Sequence, residues 1–335
     1  MWIVNGCHQT VIVAVLSICS AAKRRKHMKM KSIILAALAI ALGSNAYASE
    51  ATGAGSSFFF PLAAKWADGY NKATGNKINY QSIGSSAGIK QIDAKTVTFG
   101  ATDAPVKPED LAKKAQVQFP ITVGGIVMVV NLKEVEHITL SLDVVAKIYM
   151  GKITKWNDQQ IAALNPDAKL PDLGIIKIRR SDGSGTTWNL TKYLSDANAD
   201  WKKDYGTGSS IEWPGTTIGG KGNDGVANNV QQTNGSIGYV EYAFAKQNGL
   251  LAADMIGTDG KKVSPGIKAF QTTWPLVATT YVVMYVENPD PAATKIAKDF
   301  FEYTMAHDAD AESLDYVPLN AAQKSETKKA LAAIK

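Results

Sequence analysis

GIIKIRRSDGSGTTWNLTKYLS, residues 174–195, carries three patterns in succession. Residues 174–179 are rich in isoleucine, as a buried strand requires. A polar turn with two glycines follows, and residues 187–195 then have a helical pattern. Strand, glycine-serine turn, helix is the repeating unit of an α/β protein, in which ligand loops leave the carboxyl ends of strands.

The same order recurs elsewhere. KINYQ at 77–81 leads into IGSSAG at 83–88 and a helix-like stretch to about residue 95. VTF at 97–99 leads into GATDAP at 100–105. ATGAGSS at 51–57 ends in Phe58 and is followed by an amphipathic helix through Ala63, Trp66 and Tyr70. The fold class expected is therefore α/β. Two apolar runs, residues 121–132 and 276–286, have the β-branched enrichment of buried strands and bracket a middle region. A chain that leaves one lobe and later returns gives a discontinuous first lobe, 49–131 with 275–335, and a continuous second lobe, 132–274. Residues 291–335 read as two or three helices that close the first lobe.

The first 48 residues are of another kind. They hold six basic residues and no acid. A basic start at 28–31, an apolar run at 33–42 and the small-x-small triplet Ala46-Tyr47-Ala48 follow the order of a secretory signal peptide, expected at 28–48. Residues 1–27 read as an upstream extension from a start codon placed too early. Without the leader, 30 basic residues face 30 acidic ones, so the formal +6 of the whole chain belongs to the leader. Nucleic acid is not an expected partner. Both cysteines, Cys7 and Cys19, also fall in the leader, which removes disulfide and thiolate chemistry. His137 and His307 have no partner at metal-ligand spacing, and neither a metal nor a cofactor is expected. The compartment that fits is a periplasm.

Beyond the leader the only arginines are Arg179 and Arg180, side by side in the opening stretch. Arginine presents a planar fork that meets two oxygens at once, which lysine cannot do. Helix starts offer unpaired N–H groups, serine and threonine add hydroxyl donors, and glycine lets the backbone approach closely. Four loops, at 52–58, 84–88, 100–103 and 180–186, carry these parts, which together suit an oxyanion. Taken singly, each serine also reads as a helix cap and each glycine as a turn.

Two further motifs invite other chemistry. GSSAG at 84–88 fits the G-x-S-x-G elbow of a serine hydrolase, with Ser86 as nucleophile and His307 as the later base. GKGNDG at 220–225 fits G-x-G-x-x-G, but no clear strand precedes it in the sequence. It reads as a glycine-rich turn before a helix at 225–232.

The loops taken together resemble the periplasmic phosphate-binding proteins of high-affinity phosphate ABC transporters. TGAG at 52–55, GSSAG at 84–88, DAP at 103–105, RRSDGSGT at 179–186, GGKGNDG at 219–225 and GYVEY at 238–242 occur in the family's order, over nearly all of residues 51–290. The resemblance implies a two-lobed periplasmic binding protein fold of type II, monomeric, with a ligand cleft between the lobes. It implies inorganic phosphate as ligand, ABC transporter permease subunits as partners, and no enzymatic activity. Carried over by motif, the phosphate-binding residues are Ser57, Phe58 (through its N–H), Ser85, Asp103, Arg180, Ser184, Gly185 and Thr186. Asp182 supports Arg180, and Arg179 is assigned no contact. Asp103 is implied as the acceptor that reads the phosphate proton. Sulfate and arsenate are the alternative oxyanions. Ser56-Ser57 stands where the family usually has Ala-Thr, Ala87 replaces a common glycine, and the segment from Pro265 to Trp274 is shorter than in the family.

Overall fold

The computed structural model describes residues 50–335; the signal peptide expected at 28–48 and the stretch before it lie outside the described residues. Its strands are β1 (Glu50–Gly55), β2 (Lys77–Ser82), β3 (Phe99–Thr102), β4 (Gln116–Val130), β5 (Thr139–Leu140), β6 (Ile176–Arg180), β7 (Ile218–Gly220), β8 (Ser236–Glu241), β9 (Leu251–Ala252), β10 (Asp254–Ile256), β11 (Lys262–Val263) and β12 (Val277–Tyr285). Nine form one curled sheet in the order β2-β1-β3-β12-β4-β8-β6-β7, with β9 also on β4. The two ends of this sheet are parallel: β1 between β2 and β3, and β6 between β7 and β8. Antiparallel β12 and β4 join them.

β4 is the common member. Gln116 to Gly125 pair with β12, and Ile126 to Val130 pair with β8. It starts earlier than the apolar run at 121–132, because Gln116 and Gln118 interrupt the hydrophobic pattern. Both have specific partners. Gln116 donates to Asp93 at 3.0 Å, and Gln118 accepts from the Val106 N–H at 2.8 Å. Pro120 has no N–H for the ladder, and the register of β12 slips opposite it, between Thr280 and Tyr281. A slip of this kind re-aims a side chain. Here it coincides with Thr280, whose hydroxyl turns to the site.

The helix Phe60–Thr74 buries Leu62, Ala63, Trp66 and Tyr70 along one stripe. Residues 291–335 form the helices Pro291–Thr304, Asp308–Glu312 and Ala321–Ala333. The first of these drives Phe301 edge-on against Phe99 and Phe119, at centroid distances of 5.0 and 5.3 Å. In the other half, Trp213 lies between Tyr149, Trp201 and Tyr239.

Two local expectations are corrected. Residues 100–102, read as a loop, are the body of β3. Gly100 is small for packing rather than for turning: a Cβ there meets Ile92 at 2.9 Å. The glycine-rich stretch at 220–225 does follow a strand, β7, and its helix begins at Gly222 rather than 225. β7 is only three residues long and two are glycine, so propensity and pattern conceal it.

Candidate anion-binding site

The sequence-derived residues leave four strand ends and meet. Ser57 and Phe58 follow β1, Ser85 follows β2, Asp103 follows β3, and Arg180 closes β6 ahead of Ser184, Gly185 and Thr186. All are buried.

Arg180 is 3% exposed. Its Nε donates to Asp182 Oδ1 at 2.8 Å, and its Nη2 donates to Asp182 Oδ2. This two-point pairing fixes the plane of the fork. Nη1 reaches Thr186 Oγ1 at 3.3 Å, and the Arg180 N–H donates to the Tyr239 hydroxyl at 3.1 Å. Burial opposes the charge on Asp182. The Arg180 guanidinium and the Gly222 N–H, 3.0 Å from Oδ1, outweigh it and hold the carboxyl below the usual aspartate range. Arg179 points elsewhere. Its Nε meets Thr217 Oγ1 at 3.3 Å and its Nη1 the Arg180 carbonyl at 2.9 Å.

The helix Gly185–Ala197 starts here. Ser184 caps it, its Oγ accepting from the Thr187 N–H at 3.1 Å, so the Ser184 hydroxyl proton is left to donate outward. Among the described residues, the N–H groups of Phe58, Ser85 and Thr186 have no hydrogen-bond partner in the protein. Two of these open helices, where N–H groups are left unpaired by the helix itself, and donors of this kind on neighbouring loops suit an acceptor-rich ligand.

Asp103 is the acceptor of the set, 2% exposed. The Ser56 hydroxyl donates to both carboxylate oxygens at 2.7 Å, Thr280 donates to Oδ1 at 2.8 Å, and Ser85 reaches Oδ2 at 3.4 Å. Burial raises the Asp103 carboxyl to about 6, against the lowering effect of these hydroxyls and of Arg180.

The two halves of the sheet touch across the site. Gly185 N–H donates to Ser85 Oγ at 3.0 Å, and Asn189 Nδ2 donates to the Asp103 carbonyl at 2.7 Å. Ser86 N–H donates to the Gly183 carbonyl at 3.1 Å. Gly185 is required by this approach: a Cβ there lies 2.7 Å from Asp103 atoms. Gly185→Ala is expected to hold the halves apart and weaken ligand binding by about 5- to 100-fold, the scale of an overpacked contact of about 1–3 kcal/mol. Titration calorimetry reads this; wild-type affinity in the variant contradicts it.

Ser86 and His307 do not form a triad. His307 Nδ1 lies 2.7 Å from the Tyr303 carbonyl and its ring stacks on Tyr303. Among the described residues no histidine is hydrogen-bonded to Ser86, and His137 is exposed. The sequence reading missed Ser56, Thr280, Asn189 and Asn223. Thr280 was detectable as one of two adjacent threonines inside the largely apolar run 276–286; the others carry no signal separable from ordinary loop polarity.

Residues 42–308 match the PBP superfamily domain. The phosphate-binding protein PstS of Pasteurella multocida is 44% identical over 319 residues, 87% of this chain and 92% of the relative. That of Haemophilus influenzae is 45% identical over 303 residues, 82% and 90%. Among solved structures, a high-affinity periplasmic phosphate-binding protein bound with phosphate aligns with a TM-score of 0.68 at 17% identity, covering 84% of this chain and 93% of that one. The phosphate binding protein of Stenotrophomonas maltophilia aligns with a TM-score of 0.65 at 19% identity, covering 84% and 94%. Fold and site thus define a two-lobed periplasmic binding protein fold of type II, with the ligand cleft between the lobes. Within that class, the chain belongs to the family of PstS phosphate-binding proteins.

Proposed function

We propose that this protein captures inorganic phosphate between its lobes and passes it, chemically unchanged, to the permease subunits of an ABC-type importer. The observation that carries this reading is the composition of the cleft. Unpaired N–H groups, outward hydroxyls and one buried, clamped arginine face a single buried carboxylate. Donors hold the oxygens of the anion, and the carboxylate accepts the proton that phosphate keeps near neutral pH and sulfate lacks. We assign the ligand contacts to Ser57, Phe58, Ser85, Asp103, Arg180, Ser184, Gly185 and Thr186, with Asp182 as the support of Arg180. The lobes are residues 49–131 with 275–335, and 132–274. The change of neighbours along β4 supports a division within this strand, but favours Gly125–Ile126 as the point of bending and so puts residues 126–130 with the second lobe. Anion contacts from both lobes couple binding to closure.

Export through the leader at 28–48 puts the protein in the periplasm, where it acts as a monomer. No helix of the described residues is long and apolar enough to cross a membrane. Calorimetry with phosphate and sulfate tests the function. One phosphate is expected per chain, with sulfate weaker on the order of 10⁴-fold, as in sites that read a hydrogen bond. Sulfate binding as tight as phosphate overturns the reading of Asp103, and no phosphate binding overturns the function.

A further inference from the structure

The turn at 220–225 makes contacts that its sequence did not announce. Asn223 is fully buried and every polar group of its side chain is engaged. Its Nδ2 donates to Ser57 Oγ at 2.9 Å, and its N–H donates to the same oxygen at 3.1 Å. Its Oδ1 accepts from the Glu241 N–H at 2.9 Å. That last bond fixes the amide: with Oδ1 facing an N–H, Nδ2 must face Ser57.

A serine hydroxyl has two lone pairs and one proton. Both lone pairs of Ser57 are occupied by Asn223, so the hydroxyl has only its proton left to offer. We propose that Asn223 is a positioning residue for the ligand: it makes Ser57 an obligate donor toward the bound anion, and it does so only when the lobes are closed. Ser57 follows β1 in the first half of the sheet, and Asn223 opens a helix in the second. The same contact is therefore an orienting device and a latch. Its anchor, Glu241, pairs with Ile126, where β4 changes neighbours, so the latch is tied to the point of bending. The neighbouring Gly222 N–H holds Asp182, so one turn steadies both Ser57 and the support of Arg180.

This inference rests on the phosphate reading, and the experiment separates the two. Phosphate affinity and dissociation rate are measured for the wild type, Asn223→Ala, Ser57→Ala and the double variant. Asn223→Ala is expected to weaken binding about 10-fold, the value of about one such hydrogen bond, mainly through faster dissociation. In the Ser57→Ala background the same change is expected to alter affinity less than about 2-fold, because the group it positions is gone. A loss that multiplies in full with that of Ser57→Ala overturns the proposal, as does unchanged affinity in Asn223→Ala. A wild type that binds no phosphate overturns both readings. Should Asn223→Ala not fold, the side-chain amide of Asn223 in the wild type gives the answer by NMR. Slowed hydrogen exchange of that amide on adding phosphate supports the latch, and unchanged exchange overturns it.

Discussion

Arg180→Lys is expected to weaken phosphate binding on the order of 100-fold. The charge survives the substitution, but the fork does not. Arg180 spends Nε and Nη2 on Asp182, and this pairing leaves the remaining N–H groups in a fixed plane. A lysine ammonium offers three rotatable donors at one point and cannot serve Asp182 and two ligand oxygens at once. Losing about two charge-assisted hydrogen bonds at a buried site amounts to about 3 kcal/mol. Arg179→Lys is the matched control. Its guanidinium is engaged with Thr217 and the Arg180 carbonyl, and its effect on affinity is expected to stay within about twofold. Calorimetry on the two variants decides. Unchanged affinity in Arg180→Lys removes Arg180 from the ligand, and equal losses in both remove the distinction between the arginines.

Asp103→Asn is expected to raise sulfate affinity relative to phosphate by about 100-fold or more. An ionised carboxylate can only accept, which suits a protonated oxyanion and repels a fully ionised one; an amide also donates. The direction of its titration gives a second signature. Its carboxyl is raised to about 6 in the folded protein from an ordinary 3.8. A raised acid favours folding while protonated: that contribution is complete below about 3.8 and is lost as pH rises through about 6. The ligand-free Asn variant, which carries no charge, is therefore expected to melt higher than the wild type at pH 7.5. That advantage should vanish near pH 4. Wild-type rejection of sulfate should also shrink as pH falls through about 6, once Asp103 can donate. A variant with wild-type selectivity takes the proton-reading role away from Asp103.

The sequence was legible where one residue type does one job. Alternating strand, glycine-serine turn and helix marked the α/β class, and two isolated arginines marked the charged corner. The loops that carry Ser57, Ser85, Asp103 and Ser184 stood out because hydroxyls and glycines cluster at strand ends. What stayed hidden was pairing at long range. Nothing near Thr280 in sequence says that its hydroxyl meets Asp103, a residue far away in the chain, beside the ladder slip opposite Pro120. Asn223 was masked by its own turn, whose glycines read equally well as punctuation. β7 was too short and too glycine-rich to show a period.

The long strand β4 also bears on how the chain reaches its folded form. β3 and the first part of β4 both depend on β12 for an antiparallel neighbour, and β12 is the last strand in the chain. Until residues 277–285 are available, the first lobe has two open sheet edges and cannot close its core. The second lobe shares β4, so it lacks a finished foundation during the same interval. Such distant pairing makes folding a late and collective event rather than a stepwise one from the amino end. For a protein exported as proposed above, that delay is useful. Export of that kind would carry a chain whose central sheet is unfinished, and the arrival of β12 would complete it.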